Sequence, residues 1–149
     1  MAHGTLTWAE VAARLAPWRS YWLGTTTPSG APHAAPVWGA VLDDVFYIFS
    51  ERSTVKARNI AADPRVIVHL ESGEEVLIVR GVADDVGGPG ELPRVLAAFA
   101  AKYAGHDDRQ YLPGTDPAVD VIYAIRPQAV MTWRLADYEE SQQRWSAGG

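Results

Sequence analysis

The fold of this chain is decided by one stretch, "YWLGTTTPSGAPHAAPVWGAVLDDVFYIFS", at residues 21–50. The turn formers Pro28-Ser29-Gly30 and Asp43-Asp44 divide it into short extended runs rich in aromatic and β-branched side chains. We predict three strands here, at residues 21–26, 33–42 and 45–49. Successive strands joined by short turns favour an antiparallel sheet over a doubly wound parallel one.

A helix is predicted before this stretch, over residues 7–16. Thr7 and Glu10 have the spacing of a capping box, and Pro17 ends the helix. The apolar residues between them recur at helical spacing: Trp8, Val11, Ala12 and Leu15.

Helices and strands alternate after residue 50. Ser53 is the expected N-cap of a short helix that runs to Ala62, and Ser72-Gly73 joins the two strands of a hairpin within residues 65–86. The remaining predicted elements are a helix over 92–103, a loop over 104–118, two strands around Pro127-Gln128 and a polar tail. This order predicts a single domain over residues 1–149, mainly β with flanking helices, built as an antiparallel barrel.

Composition narrows the possible functions. The 149 residues are 48% hydrophobic, which excludes a disordered chain, and the net charge of −5 argues against a nucleic-acid-binding protein. The chain has no cysteine, so disulfides and thiolate chemistry are excluded. We find no secretory signal and no apolar run of about 20 residues, and expect a cytoplasmic protein that does not bind membranes.

The histidines give no metal signature. His3, His33, His69 and His106 show neither i,i+4 nor HExxH spacing, so no metal site is expected. His69 alternates with apolar residues on a predicted strand, and we interpret it as a histidine satisfied by hydrogen bonding.

Cations are concentrated in "SERSTVKARNIAADPR", residues 50–65, although the chain as a whole is acidic. A solvated helix face would explain them. Cations at a helix start oppose the macrodipole, however, whereas a phosphate there would meet free N–H groups, hydroxyls and guanidinium groups. The pattern favours a phosphorylated small molecule as ligand. Lys56 and Arg58 lie about 200° apart around a helix, so both cannot face one phosphate.

Three motifs together carry a family resemblance: residues 21–50, "VKARNIAADPRVIVHLESGEEVLIVRGVA" at 55–83, and "QRW" at 143–145. They resemble the pyridoxamine 5′-phosphate oxidase-like split-barrel proteins, and more closely their actinobacterial branch, the flavin/deazaflavin oxidoreductases of the B type. The resemblance implies a six-stranded antiparallel split β-barrel with flanking helices. It also implies a homodimer that forms through the barrel face, with two cofactor sites at the interface.

The resemblance also implies a cofactor, either FMN or the deazaflavin coenzyme F-420, and the residues that hold it. The cofactor ring would rest on Pro36, Val37 and Trp38, although simple core packing would explain Trp38 equally well. Arg144 and Trp145 would reach the partner's site, unless the tail is frayed. The phosphate end would be held by the cation segment, namely by Ser50, Arg52, Ser53, Thr54, Lys56 and Asn59, with Arg58 beside them.

The activity implied is hydride transfer from coenzyme F-420 to an electron-poor small organic substrate. The cation segment holds more cations than one phosphate needs. Coenzyme F-420 would explain them, because it carries a phosphodiester and a polyglutamate tail. The alternatives are an FMN-dependent oxidase or reductase that reacts with oxygen, and a non-catalytic carrier of flavin, deazaflavin or haem. No side chain is identified as catalytic.

Overall fold

A computed structural model of the chain describes residues 5–105 and 112–148. Within these ranges the chain forms four α-helices, eight strands and two short 3-10 turns. In chain order the helices and strands are α1 (Trp8–Leu15), β1 (Tyr21–Thr26), β2 (Pro32–Val37), β3 (Gly39–Leu42), β4 (Val45–Glu51), α2 (Val55–Ala62), β5 (Arg65–Leu70), β6 (Glu75–Asp85), α3 (Pro93–Lys102), β7 (Asp120–Arg134), α4 (Tyr138–Ser141) and β8 (Gln143–Ser146).

The strands form one antiparallel sheet in the order β2-β1-β5-β6-β7-β4-β3, and β8 pairs with β7. The two strands at the ends of this order, β2 and β3, are consecutive in the chain and are separated only by Trp38. The sheet must therefore curl until its ends meet, which makes it a split barrel with flanking helices. The predicted fold class is confirmed, but the described residues contain eight strands where six were expected.

One extra strand comes from the run 33–42, which breaks at Trp38 because its two halves pair with different neighbours. Val37 pairs with Tyr21 on β1, whereas Gly39 pairs with Ile48 on β4. Glycine is required after the break, since a Cβ on Gly39 would lie 2.5 Å from Cζ of Phe46. The chain can therefore turn sharply from one edge of the sheet to the other.

The prediction of two strands around Pro127-Gln128 is wrong, because β7 continues through both residues. Pro127 pairs with Gly81 and Ala129 pairs with Arg80, which leaves Gln128 as an extra residue in a β-bulge. A bulge tolerates a proline, whose missing N–H would otherwise leave a gap in the ladder. The long strand pairs with β6 on one side, and with β4 and then β8 on the other.

The N-caps of α1 and α2 agree with the sequence prediction, except that the N-cap of α2 lies one residue later. Thr7 caps α1 as predicted, since its Oγ1 accepts a hydrogen bond from the N–H of Glu10 at 3.2 Å. The N-cap of α2 is Thr54 rather than Ser53, because the Thr54 hydroxyl accepts the bond from the N–H of Ala57 at 3.3 Å. The hairpin between β5 and β6 is confirmed.

Two hydrophobic clusters fill the molecule. The larger one lies inside the barrel and is closed at one end by α1, with Trp8 and Trp145 packed against it. The smaller one lies between α3 and the strands β3 and β4, around Phe99 and Tyr103. The tail that the sequence marked as polar thus supplies a strand and an indole to the barrel.

Candidate functional site

The predicted phosphate segment links β4 to α2, and its hydroxyls hold the turn between them. Ser50 is buried, and its hydroxyl lies 2.8 Å from that of Thr54. Both hydroxyls also lie within hydrogen-bond distance of the Glu51 carbonyl oxygen, at 3.1 Å and 2.8 Å. Ser53 is exposed beside them. These hydrogen bonds fix the geometry of the helix start.

Arg52 is tied to a neighbouring loop. Its Nε donates to the carbonyl oxygen of Pro117 at 2.7 Å, and its Nη1 pairs with the Asp85 carboxylate at 3.0 Å. Its backbone N–H donates to the Val119 carbonyl at 2.8 Å. The charge of Arg52 is thus partly neutralised within the chain.

Asn59 connects α2 to the barrel. It is buried, and its Nδ2 donates to Oγ1 of Thr25 on β1 at 3.0 Å. His33, the cross-strand partner of Thr25, has a buried Nδ1 with no hydrogen-bond partner in the described part of the chain. Sequence reasoning missed this nitrogen, because only strand pairing brings His33 beside Thr25.

The ammonium of Lys56 has no hydrogen bond or ion pair with any described residue. The side chain is half-buried, and burial lowers the pKa of Lys56, an effect that the charge of Glu51 opposes. A partly desolvated cation without a partner is unfavourable, so a bound anion would stabilise it. The first turn of α2 also offers backbone N–H groups that lack intrahelical partners.

Arg58 lies on a different side of α2 from Lys56. Arg58 and Arg52 line a cavity of about 610 Å³ together with Asp85 and Tyr123, and Lys56 does not reach it. The cation segment therefore divides into two groups, as the angle of about 200° between residues 56 and 58 predicted.

The three residues expected to carry a cofactor ring have different environments. Pro36 is exposed on β2, an edge strand of the sheet order, and the Val37 side chain is buried in the barrel. Trp38 stacks on Tyr103 with a centroid distance of 4.2 Å and an interplanar angle of 7°. The guanidinium of Arg19 lies 5.9 Å from the Trp38 ring centroid. Trp38 is thus packed on Tyr103, and contact of these three residues with a cofactor ring stays a prediction.

A half-buried lysine beside this junction was not predicted. Lys102 on α3 donates from Nζ to the Tyr21 hydroxyl at 2.8 Å and to the Gly39 carbonyl at 2.6 Å. Burial lowers the pKa of Lys102 to about 8. Burial also raises the pKa of Tyr103, whose hydroxyl accepts from the N–H of Gly39 at 3.0 Å, to about 12. The partners of Lys102 are 63 and 81 residues away, so no local pattern indicated this network.

Arg144 and Trp145 lie apart from the phosphate segment. The Trp145 ring packs 5.9 Å from that of Trp8 in the same chain. Arg144 is exposed on β8 opposite Met131, and both tail residues line a cavity of about 680 Å³ that no residue of 50–59 lines. Contact with a partner's site stays a prediction.

Metal ligands are not grouped in residues 5–105 and 112–148, where no set of three or more histidines, cysteines, aspartates and glutamates could hold an ion. His3 and His106 lie outside the described residues. His69 is hydrogen-bonded as predicted, with its Nδ1 at 2.7 Å from the Leu70 carbonyl oxygen. In the same ranges, no helix has the length and apolarity to cross a membrane.

Comparison with known proteins identifies the family. The sequence model of the pyridoxamine 5′-phosphate oxidase family matches residues 7–134. The chain belongs to this family. The resemblance seen in the sequence motifs is thereby confirmed at the level of the family. No curated protein sequence matches the chain.

Solved structures of similar fold support this membership. A conserved hypothetical protein, Rv2991 from Mycobacterium tuberculosis, is 27% identical with a TM-score of 0.73, over 97% of this chain and 94% of that one. An F-420 reductase is 26% identical with a TM-score of 0.61, over 87% of this chain and 98% of that one. A haem-binding protein from Mycobacterium smegmatis is 22% identical with a TM-score of 0.70, over 97% of this chain and 60% of that one, and supports the fold alone.

In this member of the pyridoxamine 5′-phosphate oxidase family, some groups of the segment are bonded within the chain, and others are available to bind a ligand. Ser50, Thr54 and Asn59 are engaged in bonds that position the start of α2. Lys56 and the free N–H groups of the first helical turn have the chemistry to bind a phosphate there.

Proposed function

We propose that this protein is a homodimeric oxidoreductase that uses coenzyme F-420 to reduce an electron-poor small organic substrate. The observation that carries the proposal is the half-buried ammonium of Lys56, which has no partner in the described chain and stands at the start of α2. The family membership and the similarity to an F-420 reductase support it.

The residues present fit the phosphate end of such a cofactor. Lys56 provides a positive charge that is unfavourable when partly buried unless an anion lies near it. The backbone N–H groups of Val55 and Lys56, the first two residues of α2, provide further donors for a phosphate. Asn59 holds the helix against β1, so these donors are fixed before a ligand arrives. Binding to preorganised donors avoids part of the entropic cost of ordering them.

The bound coenzyme would supply the hydride, and the protein would supply binding and orientation. The edge of β2 at Pro36 and Val37 offers backbone polar groups for the rim of a flat ring. We assign Trp38 a supporting role, because Tyr103 stacks on its ring. No side chain is assigned as a proton donor.

Coenzyme F-420 is preferred over FMN because cations occur on two sides of α2. Lys56 lies on one side, whereas Arg58 and Arg52 line the cavity on the other. A single phosphate would use only one of these groups, whereas a phosphodiester with a polyglutamate tail would extend past both. Arg52 of the second group already pairs with Asp85, so Arg58 is the cation that the tail of the larger coenzyme would meet.

The cofactor assignment is tested by calorimetric titration of the purified protein with coenzyme F-420, FMN and haem. We expect the tightest binding for coenzyme F-420, and turnover of its reduced form with an electron-poor acceptor. Tighter binding of FMN would reverse the assignment in favour of an FMN-dependent enzyme. Tight binding without any turnover across a panel of acceptors would favour a carrier.

The proposed homodimer is supported by exposed apolar side chains beside the cation segment. Val55 is 44% exposed and Val119 is 50% exposed, and the Val119 carbonyl bonds directly to the Arg52 N–H. A second copy that covers these side chains would place its surface at the cofactor site. Light scattering at micromolar concentration should give the mass of a dimer; a monomer would contradict sites shared between subunits.

A further inference from the structure

The cavity of about 610 Å³ lies beside α2, and Lys56 is not among the residues that line it. Its apolar lining includes Ala57 and Ile60 of α2 and Ala83 of β6. Tyr123 of β7 lines it as well. The volume falls in the range of about 300–1,000 Å³ that is usual for small-molecule sites.

The hydroxyl of Tyr123 is a polar group that the fold leaves unpaired. The residue is only 4% exposed, and its hydroxyl makes no hydrogen bond with any described residue. Burial, together with the charge of Asp85, raises the pKa of Tyr123 to about 12, so the hydroxyl keeps its proton. An acceptor bound in the cavity would satisfy this donor.

The charges around the cavity are nearly balanced within the chain. Arg52 pairs with Asp85 at 3.0 Å, and Asp84 pairs with Arg126 at 3.1 Å. Arg58 also lines the cavity, and its guanidinium has no carboxylate partner among the residues that the structure describes. The charge left over is therefore positive, and a ligand that pairs with it is an anion.

The two aspartates in the lining, Asp84 and Asp85, limit which anion fits. They would repel a doubly charged phosphate more strongly than a single carboxylate, since Coulomb repulsion grows with the charge of the ligand. A carboxylate also matches the planar guanidinium of Arg58 and can accept a further hydrogen bond from a hydroxyl. The cavity thus favours a carboxylate over a phosphate.

We propose that Tyr123 and Arg58 bind one carboxylate of the glutamyl tail of coenzyme F-420 in this cavity. The inference rests on the proposed function, which places the phosphodiester at Lys56. An α-helix is about 10–12 Å across with its side chains, so a tail of two or three glutamyl units is long enough to pass from Lys56 to the other side of α2. Tyr123 is then a residue that distinguishes the tailed coenzyme from a form without the tail.

Calorimetric titration with two forms of coenzyme F-420, one with three glutamates and one with none, tests the inference. We expect the unmodified protein to bind the tailed form at least about tenfold more tightly. Tyr123→Phe should weaken the tailed form about 3- to 10-fold and leave the tail-less form unchanged, because one hydrogen-bond donor is removed. The variant should fold normally, since the lost hydroxyl has no bond within the described chain.

Tyr138→Phe is the matched control, because Tyr138 is 46% exposed and lies outside the cavity. It should change the affinity for neither form. Equal affinity of the two forms for the unmodified protein would overturn the inference and leave the proposed function standing. An equal loss of both forms in Tyr123→Phe would also overturn it.

Failure of both forms to bind would instead reject the proposed function. The cavity is examined without the coenzyme by NMR titration with free γ-glutamylglutamate. Shifts of the Ala57 and Ala83 amide signals that Tyr123→Phe diminishes would support the carboxylate site. No shift of these signals at tens of millimolar dipeptide would overturn it.

Discussion

The chain has two lysines, and they show how similar burial leads to different roles. Burial lowers the pKa of both Lys56 and Lys102. The ammonium of Lys102 donates to the Tyr21 hydroxyl and the Gly39 carbonyl, and lies 4.9 Å from the Tyr21 ring centroid. The ammonium of Lys56 has no such bonds in the described chain.

The difference shows that a desolvated charge is informative only together with its partners. The network around Lys102 joins α3 to the junction of β2 and β3, so its donors are used to hold the barrel closed. The donors of Lys56 are unused, which makes it the better candidate for a ligand contact. The sequence singled out Lys56 within the cation segment but gave no sign of the bonds that Lys102 makes.

The largest expected effect is the loss of stability in Lys102→Ala. This change removes the buried aliphatic stem and two hydrogen bonds, and we expect a decrease of about 3 kcal/mol in the free energy of unfolding. Chemical denaturation with a constant m-value would measure it.

Lys102→Met is the matched control for that experiment, since it keeps the stem and removes the ammonium. The Gly39 carbonyl oxygen stays 3.1 Å from the Tyr103 hydroxyl, and the Tyr21 hydroxyl keeps the carbonyl oxygens of Leu15 and Trp18 within reach as acceptors. The cost should therefore be less than half that of Lys102→Ala. A larger cost for methionine would show that the charge itself holds the junction.

The second prediction is that the loss of Lys56, unlike that of Lys102, affects ligand binding and not stability. Lys56→Ala should weaken the binding of coenzyme F-420 by about 1.5–3 kcal/mol, or roughly 10- to 150-fold, because a charge-assisted hydrogen bond is lost. Stability without ligand should change by less than about 0.5 kcal/mol, since no bond within the described chain is broken. Calorimetric titration and denaturation measure the two quantities.

Arg58→Ala provides the contrast on the other side of α2. Arg58 is exposed, so its loss should weaken binding by only about 0.2–1 kcal/mol, and less at high salt. If both variants lost affinity equally, the division of the cation segment into two groups would be wrong. An unchanged dissociation constant for Lys56→Ala would remove that residue from the site.

The last prediction is a modest rise in stability with pH. The pKa of Lys102 is about 8 in the folded chain and 10.5 ordinarily, so the unfolded chain binds more protons between these values. Stability should therefore rise from about pH 8 to pH 10, by on the order of 1 kcal/mol once solvent screening is allowed for. Denaturation midpoints across this range would measure the change.

The trend should reverse above about pH 10, where tyrosines of the unfolded chain ionise. Burial raises the pKa of Tyr103 and of Tyr123 to about 12, so both resist ionisation in the folded chain. In Lys102→Met the rise below pH 10 should shrink and the decline above it should remain. A rise of the same size in that variant would assign the effect to another group.

Local signals predicted much of the fold and part of the candidate site. The cap at Thr7, the hairpin turn at Ser72-Gly73 and the separation of Lys56 from Arg58 follow from backbone chemistry and helical angle within a few residues. Prediction failed at Pro127-Gln128, because the bulge that accommodates the proline depends on β6, a strand nearly fifty residues earlier. The prediction of one strand over residues 33–42 failed for the same reason, because its two halves pair with different strands, β1 and β4.

The sequence by itself determined the composition class, the antiparallel strand order along the chain and the position of the cation segment. These depend on periodicity and on contacts within one or two turns, which neighbouring residues control. Only the tertiary structure decided which cations are free, because Asp85 and Pro117 engage Arg52 from distant parts of the chain, while no described residue does so for Lys56. Charge is a property of the residue, but its availability depends on which groups the fold brings within hydrogen-bond distance.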